Sequence, residues 1–270
     1  MRVCSYYARM ARLFIFGLGY TARRIARRME ARGWRIDATG SAGKVDFNDG
    51  DAVRDALAAA DWVLSSVPPA EGGDPVLDAY GGALPGRRLA YLSSTGVYGD
   101  AKGAWVDESS PTGSGRRTAR AECDARWIAT GARVFRLPGI YGPGRSVLDR
   151  VRSRKAHRID LPEQVFSRVH VDDIVSGVVA AIIGDGPAGA YNLADNLPAG
   201  HNAVTEEACR LLGVEPPPLQ TMDEAGLSEM ARGFYAENRR VANGKAKRVL
   251  GWAPLHPTYR EGLAAIRARE

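Results

Sequence analysis

Two glycines and an alanine near the beginning of the chain have the spacing of a phosphate-binding loop. Gly17, Gly19 and Ala22 follow the apolar run RLFIF and precede an arginine-rich stretch with helical periodicity. In this pattern the first glycine permits a tight turn, the second lets the backbone approach a diphosphate, and the small third residue lets the helix pack on the strand. Free amides and the positive end of the helix then bind the phosphates. The pattern predicts a dinucleotide site at Gly17, Leu18, Gly19, Tyr20, Thr21 and Ala22.

The end of the second strand-like segment bears on which dinucleotide binds. Asp37 has a suitable distance from the glycines, but the segment WRIDAT continues past it, so we interpret Asp37 as a mid-strand acid. Gly40 falls at the strand end, where an acid would bind the ribose hydroxyls of NAD, and Ser41 and Lys44 follow it. A hydroxyl and a cation suit a 2′-phosphate, so the sequence favours NADP(H) over NAD(H).

Two further segments are predicted to line the cofactor cleft. Asp46 and Phe47 close the short apolar segment KVDF and are expected to meet the adenine ring. Three residues after the segment DWVLS are expected on the far side of the cleft, namely Ser66, Val67 and Pro68.

The elements that must position these residues alternate along the first 140 residues of the chain. Strand-like runs include RLFIFGL, KVDF, DWVLSSV, RRLAYLSST and ARVFRL, and helical runs lie at 21–32, at DAVRDALAAA and at 114–129. Because parallel strands need helical crossovers, the alternation predicts an α/β fold, a Rossmann-type doubly wound parallel sheet. The alternation of strands and helices is less regular later in the chain, so we expect a smaller, irregular C-terminal substrate-side subdomain.

This pattern gives a provisional division of the chain. Residues 10–165 are predicted to form the NAD(P)-binding core. Residues 166–270 would supply the remaining core elements and the interleaved substrate-side subdomain, and 1–9 would be a flexible extension before Met10, a more natural start.

Composition limits the classes of partner. The 270 residues are 45% hydrophobic and 25% charged, which is typical of a soluble domain, and no run approaches ~18 apolar residues. Three distant cysteines indicate a reducing cytoplasm and no metal site. The net charge of +6 is spread along the chain without a nucleic-acid-binding pattern. We therefore expect a cytoplasmic protein with a small-molecule substrate and neither nucleic acid nor membrane as partner.

Five motifs in order resemble those of the extended short-chain dehydrogenase/reductases, the NAD-dependent epimerase/dehydratases. They are YLSSTGVYGD (91–100), FRLPGIYGPGR (135–145), FSRVHVDDIV (166–175), YNLAD (191–195) and RVLGWAP (248–254). The resemblance spans nearly all of 11–265, and it allows a homodimer that pairs helices flanking the sheet. It implies that Ser94, four residues before Tyr98, offers a hydroxyl to the substrate.

The catalytic tyrosine and lysine of that family are missing from their expected places. They lie four residues apart on a helix, commonly with a glutamate four further on, and the ammonium lowers the phenol's pKa. Counting back from Glu122 puts Thr118 at the lysine position and Ser114 at the tyrosine position. Tyr98 and Lys102 have the right spacing, but they lie in a glycine-rich turn. The resemblance is therefore to an atypical branch.

Two functions fit these observations. The first is an NAD(P)-dependent epimerase/dehydratase-like oxidoreductase acting on a small molecule such as a nucleotide sugar, with a rearranged catalytic set of Ser94, Ser114 and Arg116. The second is a non-catalytic protein that senses NADP(H) and signals to a protein partner. His170, between two valines, is interpreted as structural, and Asp172 or Asp173 as the cap of the following helix.

Overall fold

The computed structural model describes residues 10–71, 73–115 and 118–270, apart from the side chains of 230 and 231. The predicted extension at 1–9 lies outside the described residues. The strands are β1 (Arg12–Phe16), β2 (Arg35–Ala38), β3 (Trp62–Ser65), β4 (Arg88–Ser94), β5 (Trp105–Val106), β6 (Arg133–Leu137), β7 (Gly139–Tyr141), β8 (Arg158–Ile159), β9 (Arg168–His170), β10 (Gly189–Asn192), β11 (Leu219–Gln220) and β12 (Arg240–Val241). The α-helices are α1 (Tyr20–Glu30), α2 (Gly50–Ala59), α3 (Pro75–Tyr80), α4 (Thr118–Ala129), α5 (Val147–Arg152), α6 (Val171–Ile183), α7 (His201–Leu212), α8 (Glu229–Tyr235), α9 (Gly244–Leu250) and α10 (Tyr259–Arg267).

A six-stranded parallel sheet forms the centre of the molecule, in the order β10-β6-β4-β3-β1-β2. In register, Ile15 of β1 lies between Ala38 of β2 and Leu64 of β3. One apolar layer covers each face of the sheet, and each layer contains fully buried aromatic side chains such as Trp62 and Trp127. The predicted Rossmann-type α/β fold is confirmed.

Helix α1 packs on the sheet in the way that its periodicity predicts. Ala22, Ile25, Ala26 and Met29 are buried, whereas the arginines around them are exposed or half-buried. This amphipathic face fixes the helix N terminus beside the end of β1.

Two local predictions differ from the structure. KVDF is not a strand, because only Val45 pairs, through a single bridge to Thr39, and the Asp46 carboxylate then accepts the amide of Asn48 in a turn. Helix α4 does not include Ser114, which precedes it. Short apolar length and turn chemistry override strand propensity in the first case.

The C-terminal part contributes both to the central sheet and to a smaller region. Three two-stranded parallel pairings, β11–β8, β12–β5 and β7–β9, connect distant parts of the chain. A separate apolar cluster lies among α5, α7 and α10, including Leu148, Val204 and Leu263. No helix among the described residues is both long and apolar enough to cross a membrane.

Candidate functional site

The turn between β1 and α1 has the geometry of a diphosphate cradle. Gly17 has φ of +82°, and a Cβ placed there would lie 3.0 Å from Cγ2 of Val67. Gly19 has an ordinary φ of −85°, and a Cβ there would meet no described atom within 4 Å beyond its chain neighbours. The first intrahelical bond runs from the Arg23 amide to the Gly19 oxygen (2.9 Å), so the amides of 20–22 precede it. The turn therefore offers donors beside open space.

The end of β2 is tied directly to this cradle. Thr39 accepts the Gly17 amide on Oγ1 (3.1 Å) and the Leu18 amide on its carbonyl oxygen (2.9 Å). Gly40 has φ of +99°, and a Cβ there would lie 3.0 Å from the Leu18 nitrogen. Glycine is needed at position 40 because the two backbones approach so closely. Asp37 lies within β2 and faces Arg35 at 3.6 Å.

An open groove of about 390 Å³ adjoins the Gly40 side of the cradle. Lys44, Asp46 and Phe47 line it, together with Gly40, Gly43 and Val45, and Lys44 is exposed. Ser41 is exposed on the same loop. The structure thus brings Lys44, Asp46 and Phe47 into one groove, whereas Ser41 does not line it.

The predicted far wall of the cleft starts at the end of β3. Ser66 donates its amide to the Phe16 oxygen (2.9 Å), and Val67 packs against Gly17. Pro68 is exposed. Tyr20, in the first turn of α1, donates its hydroxyl to the Pro143 oxygen (3.1 Å) and so links the cradle to the loop after β7.

Ser94 is the last residue of β4, at the carboxyl edge of the parallel sheet where ligands bind in this type of fold. Its Oγ accepts the Gly96 amide at 3.1 Å, so its own proton stays available for donation. Ser114 is exposed and donates to the Tyr98 oxygen (3.1 Å). Arg116 lies outside the described residues.

A buried polar network lies behind Ser94. Arg136 of β6 forms a 2.7 Å ion pair with Asp124 of α4, which also accepts the Ser93 hydroxyl (2.6 Å). Arg136 further donates to the Tyr98 hydroxyl (3.0 Å), which donates to Asn192 of β10 (2.8 Å). Burial raises the pKa of Tyr98. Tyr98 is therefore a structural residue in a network that joins β4, β6 and β10 to α4. Its spacing from Lys102 does not create a helical pair.

The same network identifies the inward-facing acid of α4. Asp124 is buried, whereas Glu122, used above to count back along the sequence, is exposed. One turn before Asp124 lies Arg120, which is half-buried. Burial raises the pKa of Tyr91 on β4, and the charge of Arg120 opposes that rise.

His170 has a structural role. Its imidazole lies in a buried cluster with the Asp173 carboxylate and the His256 imidazole. Its Nδ1 accepts the Asp172 amide (3.1 Å), so His170, not either aspartate, caps α6. Asp173 accepts both the Leu255 amide (2.5 Å) and the His256 amide (3.2 Å). The Asp173 carboxylate also lies 3.1 Å from Nδ1 of His256, so it ties the segment before α10 to the beginning of α6.

A short segment that the sequence analysis missed crosses the carboxyl side of the sheet. Asn238 donates its amide to Asp100 (2.8 Å) and accepts the Val165 amide on Oδ1 (3.2 Å). Arg239 donates to the Gly99 oxygen (2.6 Å) and pairs with Glu237 (2.8 Å). We call residues 237–239 the strap. These contacts span far too many residues for a local sequence pattern to reveal them.

Comparison with known proteins relates this geometry to a family. No family model matches the chain. The chain belongs to one family with a conserved protein of unknown function from Silicibacter pomeroyi, to which it is 37% identical over 96% of this chain and 99% of that one, with a TM-score of 0.86. Protein YeeZ of Escherichia coli K12 is 27% identical over 87% of this chain and 94% of its own.

Two further likenesses carry named activities or ligands. The 3-diazoavenalumate denitrifying reductase of a Streptomyces species is 33% identical over 48% of this chain and 45% of its own. The structure of the human epimerase family protein SDR39U1 with NADPH has a TM-score of 0.77 at 16% identity, covering 96% of this chain and 100% of that one. The predicted resemblance to the extended short-chain dehydrogenase/reductases is thereby confirmed at the level of the fold.

Proposed function

We propose that this chain is an NAD(P)-dependent oxidoreductase or epimerase-like enzyme that acts on a small molecule, with NADP(H) favoured. The open space at Gly19 carries the proposal. Nothing in the fold requires glycine there, since φ is −85° and a Cβ would meet no described atom within 4 Å beyond its neighbours. A ligand that needs the backbone itself explains the residue.

The residues of the cradle fit a dinucleotide. Amides at the N terminus of α1 would bind the diphosphate, while Lys44 in the adjoining groove and Ser41 on the same loop would bind a 2′-phosphate. The bound nicotinamide would supply or accept a hydride. NADPH in the human structural relative and the reductase name of the Streptomyces relative support this assignment.

Ser94 is the proposed proton donor to the substrate oxygen. Its Oγ already accepts the Gly96 amide, which orients the hydroxyl and leaves its proton free. A serine alone is a weak acid, so a neighbouring cation is needed. We assign that role to arginine. If the count along α4 starts from the buried Asp124 instead of Glu122, Arg120 takes the lysine position and Arg116 the tyrosine position. These two residues then take the places that the earlier count gave to Thr118 and Ser114. Ser114 remains a candidate through its exposed hydroxyl.

The test is NADPH oxidation with a panel of neutral aldehydes, ketones and sugar nucleotides. For any substrate found, Ser94→Ala should lower kcat by ~100- to 10,000-fold, because the proton donor is removed. NADPH affinity should change less than about twofold, since the diphosphate cradle is untouched. Ser153→Ala, an exposed hydroxyl on the C-terminal end of α5, serves as the control.

Unchanged turnover in Ser94→Ala would contradict the assignment of this residue. If no carbonyl compound is reduced while NADPH and NADP⁺ bind with very different affinities, the sensor function replaces the enzyme, because a sensor must distinguish its two ligands.

A further inference from the structure

A second cavity lies in the substrate-side region, between α7, α8 and the segment after β8. Its volume is about 340 Å³. An apolar cavity of about 150 Å³ is enough to hold benzene, so this one has room for a substituted ring. Tyr235, Phe166 and His201 face it, along with aliphatic residues such as Ile159 and Leu161.

The aromatic side chains around the cavity are already arranged against one another. Phe166 and Tyr235 meet edge to face, with centroids 5.5 Å apart and planes at 84°. His201 stacks on His157 at 5.0 Å, and Nε2 of His157 lies 3.1 Å from the Tyr235 hydroxyl. This set forms a rigid wall that favours the face or edge of another planar ring.

The polar groups of the cavity wall are engaged elsewhere. The side chain of Asn202 exchanges two hydrogen bonds with the Ile159 backbone, at 2.9 and 2.8 Å. Gln164 donates to the Glu237 oxygen (2.9 Å), and Glu206 pairs with Arg158 (2.7 Å). Little hydrogen-bonding capacity is therefore left for a sugar or a base edge.

The cavity also lacks a cation suited to a diphosphate. None of the lining residues that the structure describes is lysine or arginine. Burial lowers the pKa of His201 to about 3 and also lowers that of His157, so both imidazoles are neutral at pH 7. Arg150 and Arg168 add to that effect from outside the lining, and Arg168 donates to the Phe166 and Ala199 oxygens.

The strap connects this cavity to the candidate reaction site. Gln164 of the cavity wall binds Glu237, which pairs with Arg239, which in turn binds the Gly99 oxygen. A Cβ placed at Gly99 would lie 2.7 Å from Ser114 Oγ. A continuous set of contacts thus runs from the aromatic wall to the turn that follows Ser94.

We propose that this cavity binds an uncharged aromatic ring of the substrate and not a nucleoside diphosphate. The inference rests on the proposed function for the identity of the ligand as a substrate. The ring packs against the wall formed by Tyr235, Phe166 and His201, and the reacting group extends past the strap toward Ser94.

The test measures binding directly, without cofactor, so that it is independent of turnover. Cinnamyl alcohol is the aromatic probe, 3-cyclohexylpropan-1-ol the saturated one with the same number of carbons and UDP-glucose the nucleotide one, each followed by ligand-observed NMR titration. Cinnamyl alcohol should bind at least about fivefold more tightly than 3-cyclohexylpropan-1-ol, by the extra stabilisation of ring pairing. UDP-glucose should not displace it.

Amino-acid substitutions test whether the probe binds in this cavity. Tyr235→Ala should weaken the binding of cinnamyl alcohol about tenfold. Tyr235→Phe, which keeps the ring, should have an affinity within about threefold of that of the wild type. Phe234→Ala on the same helix is the matched control, because Phe234 is 55% exposed and does not line the cavity. Ala203→Trp, at an exposed lining position, should block binding while a melting curve shows that the fold is kept.

Equal binding of the saturated and aromatic alcohols, displacement of cinnamyl alcohol by UDP-glucose, or no effect of Tyr235→Ala and Ala203→Trp would each overturn the inference. Failure of the proposed function looks different. In that case cinnamyl alcohol still binds and responds to these variants, but NADPH neither binds nor is oxidised.

Discussion

Gly17 and Gly19 contribute to the cradle for different physical reasons. Gly17 is required by the fold itself, since its φ of +82° and the 3.0 Å approach to Val67 leave no room for a side chain. Gly19 has neither constraint. Sequence spacing treats both as one motif, but the structure separates the glycine that the turn needs from the one for which we propose a ligand contact.

His170 makes stability depend on pH. Burial, with the neighbouring His256, lowers the pKa of His170 below its ordinary value of about 6.5. The unfolded chain therefore binds a proton that the folded chain does not, so stability falls as the pH drops below about 6.5. Each unit of lowering contributes about 1.4 kcal/mol.

His170→Asn should keep the cap of α6 and flatten this dependence. Urea unfolding at several values between pH 4.5 and 7.5 measures it. The variant is expected to have a lower free energy of unfolding than the wild type at pH 7.5. That free energy should fall less than the wild type's when the pH is lowered. A slope equal to that of the wild type would show that another group is responsible.

At the scale of elements, the ion pair of Arg136 and Asp124 holds α4 against β4 and β6. The side chains are 5% and 2% exposed, so neither charge has water as a substitute partner. Asp124→Asn should therefore destabilise the fold by ~3–5 kcal/mol in urea unfolding.

Asp78→Asn is the matched control. Asp78 of α3 forms a 2.6 Å ion pair with Arg126, which lies on α4 as Asp124 does. The side chains of Asp78 and Arg126 are 49% and 44% exposed. That change should cost less than about 1 kcal/mol. Equal losses in the two variants would mean that the buried network does not hold these elements together.

Elements with strong periodicity could be predicted from the sequence, and those set by turns could not. The buried positions of α1 follow from the spacing of Ala22, Ile25, Ala26 and Met29. KVDF was wrongly predicted as a strand, because a turn from Gly40 to Gly43 precedes it and a second turn begins at Asp46. The inward-facing acid of α4 is the one that meets Arg136, a contact that no local pattern contains.

At the scale of the whole molecule, the alternation of elements was sufficient to predict a parallel sheet whose carboxyl edge holds Ser94 and the cradle. The strap and the aromatic cavity were not predictable, because Asn238 meets Asp100 across 138 residues and Tyr235 meets His157 across 78. The absence of the family's tyrosine and lysine from their expected positions could be predicted from the sequence, but the contact of Asp124 with Arg136 could not.

Binding of a dinucleotide at the cradle is the central claim, and isothermal titration calorimetry at low ionic strength tests it most directly. NADPH should bind the wild type more tightly than NADH. Gly19→Ala should weaken NADPH at least about tenfold with an unchanged melting temperature, because the added methyl group enters only the ligand's space. Gly81→Ala, at a glycine after α3 whose added Cβ would likewise meet no described atom within 4 Å, should bind like the wild type. No heat with either nucleotide at millimolar concentration, or equal affinity in Gly19→Ala, would contradict the account.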